Sequence, residues 1–194
     1  MGRRIGITGG IGAGKSVVSR LLRLRGYKVY DCDTEAKRLM EGDEKLSEEL
    51  RGILGNQAYI DGKLDRGYIA ERIFNDSEIR EAVNGCVHKA VRKDFLKFAE
   101  GSGEDVFVES AILATGGFLP LVDEVWLVDA PEELRIARVE RRNGMTREKV
   151  MERIETQRGE FQMLPVEKTR RIENTDEASL LNETSALLAS SDRL

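Results

Sequence analysis

Near the start of the chain, Gly9-Gly10-Ile11-Gly12-Ala13-Gly14-Lys15-Ser16 follows the order G-x-x-x-x-G-K-S. The chemistry of that spacing is anion binding. Glycines let the backbone turn tightly with no Cβ between the main chain and a ligand. Successive N–H groups at a helix N-terminus then offer donors and partial positive charge to phosphate. Lys15 adds a point charge for the outer phosphates, and the Ser16 hydroxyl is a ligand for Mg²⁺. Gly10, Ile11, Gly12, Ala13, Gly14, Lys15 and Ser16, with Val17 in the first helical turn, form the expected binding segment for a nucleoside triphosphate.

Carboxylates supply the second set of candidates. Asp31 and Asp33 follow the β-prone run Tyr27–Tyr30, and Glu109 follows Val106-Phe107-Val108. Ligands of an open parallel sheet gather beyond the carboxyl ends of its strands, so these acids stand where chemistry is expected. Asp31 and Glu109 are candidate holders of Mg²⁺ or its waters. Asp33 or Thr34 can equally cap the helix that follows. Cys32, flanked by acids, is expected to have a raised thiol pKa and to act as a small filler.

The third set is basic. Arg135, Arg138 and Arg142 recur at helical spacing beside Arg141, on a helix read as Glu132–Arg142 with Pro131 at its first position. Asn143-Gly144 ends it, and a second helix runs from Thr146 to about Gln157. Two readings stay open. The pair is a helical lid over about 138–150 that closes on polyphosphate, or a solvated face neutralised by Glu132, Glu133, Glu140, Glu148 and Glu152.

The elements that must hold these residues are legible in the apolar pattern. Ile5–Thr8 reads as a strand feeding the glycine loop, and Val17–Leu24 as the helix that leaves it, closed by Gly26. Further strands are read at Tyr27–Tyr30, Val106–Val108, Val125–Val128 and Arg170–Asn174, with a turn and short helix over Ala111–Phe118. A last amphipathic helix is read over Glu177–Ala189, with frayed final residues. Between Thr34 and about Glu100 the spacing is helical throughout, with no strand, punctuated by Gly52, Gly55, Gly62 and Gly67. One crossover helix would suffice there, so residues 34–100 are read as an inserted helical subdomain. Residues 1–33 and 101–194 form the core. The fold class is α/β: a three-layer P-loop NTPase fold with about five parallel strands, the insertion following the second.

Composition limits the alternatives. The chain has 194 residues, 40% hydrophobic and 34% charged, with a formal net charge of −4. That balance is ordinary for a globular chain and argues against a broad nucleic-acid surface. Two cysteines and one histidine, His88, argue against a disulfide framework or a zinc site. With no signal-peptide pattern and no membrane-span run, the expected location is cytoplasmic, as a monomer or small homo-oligomer without nucleic-acid or membrane partners.

Taken together these residues resemble the dephospho-CoA kinase family along nearly the whole chain. Thr8–Ser16 is similar to the family's TGGIGSGKS loop, and Asp31-Cys32-Asp33 to its D-A-D strand end. Asp65-Arg66 followed by Ile73-Phe74 resembles its D-R…V-F signature. Arg138 and Arg142 fall on its lid arginines, and Gln157 and Asn174 on its Q and late N. The resemblance implies ATP and Mg²⁺ as cofactors and phosphorylation of the ribose 3′-hydroxyl of dephospho-CoA. It makes Asp33 the acceptor-activating base, with Lys15, Arg138 and Arg142 as the other catalytic groups. Asn174 joins the nucleotide set, and Thr8, Arg66 and His88 join the acceptor set. Two departures stand out: His88-Lys89 replaces the family's frequent His-Pro, and Thr115 replaces an acid in its D-x-P-L-L-F-E segment, here Glu109–Thr115. The glycine loop alone is shared with nucleoside, nucleotide and shikimate kinases and with nucleotide-dependent regulatory ATPases. The D-x-D strand end and the insertion favour the first reading, and the lack of an N-K-x-D string counts against a GTPase.

Overall fold

The computed structural model describes residues 2–175 and 178–191. In chain order the elements are β1 (Arg4–Thr8), α1 (Lys15–Leu24), β2 (Lys28–Asp31), α2 (Cys32–Gly42), α3 (Glu44–Leu54), β3 (Tyr59–Ile60), β4 (Lys63–Leu64), α4 (Arg66–Asn75) and α5 (Ser77–Ala99). There follow β5 (Val106–Glu109), β6 (Glu124–Asp129), α6 (Glu132–Asn143), α7 (Arg147–Gln162), β7 (Thr169–Glu173) and α8 (Leu180–Ser191). Contacts divide the chain into two compact units, Met1–Tyr30 with Gly101–Leu194, and Asp31–Glu100.

The first unit is built on a five-stranded sheet of order β2-β5-β1-β6-β7. β1 runs parallel to β5 and β6, and β6 parallel to β7. A strand with neighbours on both edges and helices over its faces must be apolar on both sides. Ile5 and Ile7 of β1 accordingly have no exposed surface. They share a core with Phe107, Trp126, Val128 and Ile172, covered by Val18 and Leu22 of α1 and Leu188 of α8. The Phe107 and Trp126 rings lie 5.1 Å apart at 59°, and Tyr27 meets Phe107 edge-on at 5.4 Å. Arg3 ties the entry of β1 to its neighbours, with its amide 2.8 Å from Asp105 Oδ1 and its guanidinium on Asp105 and Glu124.

A second cluster joins α6 to α7 through Ile136, Val139, Val150 and Ile154, and Ile11 of the glycine loop packs on it. Pro131 sits at the N-cap of α6, one place before the expected first position. α7 runs five residues past the expected Gln157, through Gly159 to Gln162. Residues 111–117 form turns with no helix of their own. α8 begins at Leu180; Glu177, its expected start, and the final residues expected to fray lie outside the described residues.

The second unit contains α2, α3, α4 and α5 around Leu39, Leu46, Leu50, Leu54, Ile69, Val83, Val87, Val91 and Phe95, all buried. Each helix begins on an aspartate: Asp31, Asp43, Asp65 and Asp76 accept from amides of the first turn. Such side chains satisfy donors that the helix leaves unpaired and suit the positive end of its dipole. Tyr59 Oη donates to Met40 O at 2.7 Å and Tyr68 Oη to Leu54 O at 2.8 Å, tying the loop and α4 to the preceding helices.

Two expectations fail here. The insertion is not strand-free, because β3 and β4 pair antiparallel as a small hairpin. Its turn is Asp61-Gly62, with φ of 51° and 78°, the dipeptide that favours a tight two-residue hairpin. Two-residue strands are too short for any alternation to be read. Phe74, an apolar residue within the stretch read as helically spaced, is 85% exposed.

Loss of a cap should be measurable. Asp76 Oδ1 accepts from Glu78 N and Ile79 N, both at 3.0 Å. Asp76→Ala should therefore lower stability by about 1 kcal/mol, read as a lower urea midpoint, whereas Asp76→Asn should retain most of it. An alanine variant as stable as the parent would contradict this role.

Candidate active site

β1 delivers the chain into the glycine loop at Thr8, and α1 takes it up again at Lys15. Gly14 is the N-cap of α1 with φ of 108°, and no side chain caps the helix. An uncapped helix start leaves donors at its positive end, the requirement for binding an anion. Lys15 Nζ lies 2.6 Å from Gly9 O, folded back over the loop. Ser16 and Val17 are exposed on the first turn.

The loop is held from outside by side chains that arrive more than a hundred residues later. Ile11 N donates to Gln157 Oε1 at 2.8 Å, and Arg135 Nε donates to Ile11 O at 3.0 Å. Asn174 Nδ2 donates to Ala13 O at 2.6 Å. Asn174 is itself fixed, its amide on Asp129 O at 2.8 Å and its carbonyl and Oδ1 on the Arg138 guanidinium at 3.2 and 3.3 Å. Close approach explains two of the glycines. A Cβ at Gly12, where φ is 78°, would lie 2.5 Å from Arg135 O, and one at Gly14 would lie 2.2 Å from Asn174 Nδ2.

The other candidates fall as follows. Thr8 is completely buried and its hydroxyl has no partner, so it lines the strand beneath the loop. Glu109 ends β5 in register with Ile7 of β1, half-buried beside the strand that feeds the loop. Asp31 is the capping residue of α2, its Oδ1 accepting from Asp33 N and Thr34 N at 3.1 Å. The expectation of Asp33 or Thr34 as the cap is thereby corrected: the helix opens at Cys32, and Asp33 stands exposed in its first turn. Cys32 is buried and in no disulfide. Arg66 opens α4 and pairs with Glu41 at 3.0 Å on the surface. His88 is half-buried on α5, where burial and then Arg92 lower its pKa below the ordinary 6.5.

The basic helix follows neither sequence reading throughout. Arg135 is buried against the loop and Arg138 part-buried on Asn174, while Arg141 and Arg142 are exposed. Arg142 Nε donates to Asn143 Oδ1 at 2.7 Å. Sequence reasoning missed Glu160 altogether. Its buried carboxylate accepts from Ala114 N, from Thr115 N at 3.0 Å and from Thr115 Oγ1 at 2.7 Å. Thr115, read as the loss of an acid, thus binds one supplied by α7. The helix read from the sequence stops at about Gln157, three residues short of Glu160.

Among the described residues no group of three or more His, Cys, Asp or Glu side chains converges as a metal centre. The helix that leaves the loop carries the Ser16 hydroxyl, and the strand paired with β1 ends in the Glu109 carboxylate. That is a set for a hard cation that keeps most of its shell in phosphate and water, as Mg²⁺ does. No helix of the described residues is long and apolar enough to cross a membrane.

Residues 3–177 match the family model for dephospho-CoA kinase. A dephospho-CoA kinase of Porphyromonas gingivalis is 43% identical over 157 residues, 80% of this chain and 78% of its relative. A protein of known structure from Thermus thermophilus is 36% identical, with a TM-score of 0.79 over 100% of this chain and 98% of the other. The dephospho-CoA kinase structure from Campylobacter jejuni, at 21% identity, shares the fold with a TM-score of 0.71, covering 98% of each chain.

Two outcomes follow. Gln157→Ala removes the acceptor of Ile11 N; an unmade bond of this kind costs about 1–3 kcal/mol, so hydrogen exchange at the Ile11 amide should accelerate by about 5- to 150-fold. Unchanged exchange would show that Gln157 does not hold the loop. His88 protonates less readily folded than unfolded, so its contribution is complete above about pH 6.5 and declines as pH falls below that value. Denaturation between pH 8 and pH 5.5 should cost the parent more stability than His88→Gln. A variant that lost as much would contradict it.

Proposed function

The chain belongs to the dephospho-CoA kinase family, and from that premise we propose how its own residues divide the work of phosphoryl transfer. It is a kinase that uses ATP to phosphorylate the ribose 3′-hydroxyl of dephospho-CoA, giving CoA and ADP in coenzyme A biosynthesis. The observation that carries the ATP assignment is the side-chain-free start of α1 behind the clamped glycine loop.

Phosphoryl transfer needs little covalent help from a protein; positioning and charge neutralisation do most of it. In our reading the amides of Gly12, Gly14, Lys15 and Ser16 bind the β- and γ-phosphates, while Ile11 N stays on Gln157. Lys15 leaves Gly9 O, a neutral acceptor, for the more strongly attracting oxygens of the transferred group. Ser16 and Glu109 would hold Mg²⁺, with Asp31 contributing through water; the ion would supply charge neutralisation at the phosphates. Arg138, held by Asn174, and Arg142 would face the developing charge and keep out water that would hydrolyse ATP. Asn174 acts on the nucleotide through Ala13.

The division between the two acids is supported by Asp31's commitment to capping, which leaves Asp33 exposed and unencumbered on the first turn of α2. Asp33 would accept the proton of the ribose hydroxyl as it attacks. We assign acceptor recognition to residues 34–100, with Arg66 and His88 in the set; Thr8, wholly buried, is withdrawn from it. Cys32 and Cys86, neither in a disulfide, suit a reducing compartment, which supports a cytoplasmic location.

The test is a comparison of kcat/KM for dephospho-CoA, AMP, adenosine and shikimate, with the product position fixed by phosphorus NMR. Dephospho-CoA should be far the best acceptor, because binding energy from its remote part orients the hydroxyl. Asp33→Asn should lower kcat by roughly 10² to 10⁴ while ADP affinity changes little. Preference for another acceptor, or an Asp33→Asn variant at parental rate, would overturn the assignment it tests.

A further inference from the structure

Arg135 lies under the glycine loop in a state that a structural arginine avoids. It is 9% exposed, and its Nη2 is buried without a hydrogen-bond partner. The guanidinium lies against the loop: a Cβ on Gly10 would meet Nη2 at 2.2 Å, and Nε holds Ile11 O at 3.0 Å. Its acidic neighbours act only at a distance, Asp129 and Glu132 through charge without a hydrogen bond. Asp129 is already engaged, its Oδ2 paired with Arg171 at 2.5 Å and its Oδ1 accepting from Ala130 N. Burial accordingly lowers the Arg135 pKa from its ordinary value.

A buried cation with no anion beside it is unfavourable in the free protein. A polyanion on the opposite side of the same loop removes that penalty across one thickness of backbone, where screening by water is weak. We propose that Arg135 is a positioning residue whose charge, left uncompensated beneath Gly10 and Ile11, is neutralised by the phosphates of the bound nucleotide. The inference rests on the glycine loop being the nucleotide site. It goes beyond that reading by assigning part of the phosphate affinity to a side chain that never touches the ligand. The two functions of the residue separate cleanly: Nε shapes the loop, and the net charge attracts the anion. Arg138 and Arg142 differ in kind, since neither is buried.

The experiment compares Arg135→Lys with Arg135→Met, using inorganic pyrophosphate and ADP as probes in calorimetric titrations. Both replacements are unbranched and both lose the planar fork, but lysine keeps a donor as well as the charge, so Arg135→Gln, which keeps a donor without the charge, is titrated beside them. The lysine variant should bind pyrophosphate within about threefold of the parent, and the methionine and glutamine variants about tenfold or more weakly, the order expected for one partly screened charge near a polyanion. Adenosine should bind all three alike. Should the methionine variant not fold, Arg135→Gln alone provides the neutral comparison. Equal affinities in the lysine and neutral variants, whether both parental or both weakened, would make Arg135 a strut and overturn the proposal. Failure of the parent to bind either probe would instead overturn the nucleotide site itself, and this inference with it.

Discussion

A phosphate-binding loop must hold several peptide N–H groups pointing one way with nothing of its own to pair them. Isolated backbone does not stay in that arrangement; it closes into turns that satisfy its own donors. Here the constraint is met by fixing the remaining polar groups of the loop from outside. Ile11 is held at both its N–H and its carbonyl, by Gln157 and Arg135, and Ala13 at its carbonyl by Asn174. The Ile11 side chain adds an apolar anchor on the α6–α7 cluster. Each clamp is a single hydrogen bond worth about 1 kcal/mol net, but all of them bear on a few residues of backbone.

Much of the first unit can be understood as the apparatus that delivers these clamps. β1 sits centrally, with β5 on one edge and β6 then β7 on the other, so the loop leaves the middle of a fully buried strand. Asn174 follows directly on β7, and its amide is bonded to Asp129 O at the end of β6. Its reach to Ala13 is thereby set by strand register. Gln157 and Glu160 lie on α7, one bonded to the loop and the other to the turn after β5. Gly159 between them weakens the helix by about 1 kcal/mol relative to alanine; the bonds accepted by Glu160 offset that cost. The helix therefore continues where its local sequence suggests a stop.

The glycine loop, the five core strands and the helical character of residues 34–100 are legible because each rests on local pattern: fixed spacing, β-prone runs and helical periodicity. Asn174 and Gln157 were reached only through likeness to a family, since contacts spanning 161 and 146 residues leave no periodic trace. Asp31, and not the expected Asp33 or Thr34, is the cap, because two aspartates and a threonine compete within four positions and the backbone decides by entering the helix at Cys32. Arg135 was placed with its neighbours on one charged face, although helical geometry turned it inward. Burial of an arginine beneath a loop is set by tertiary packing, and charge spacing along the helix is indifferent to it. The β3–β4 hairpin had one usable signal, Asp61-Gly62, in a stretch where glycines punctuate helices as well.

The central claim is that the glycine loop is a preformed phosphate cradle, shaped by these distant side chains before any ligand arrives. The most direct measurement is a crystal structure of the chain with ADP. The account predicts the β-phosphate within hydrogen-bond distance of the amides at the start of α1, Lys15 Nζ moved from Gly9 O to phosphate, and the bonds from Ile11 and Ala13 to Gln157, Arg135 and Asn174 unbroken. Nucleotide bound elsewhere, or a loop that has to release those three side chains to accept it, would contradict the account.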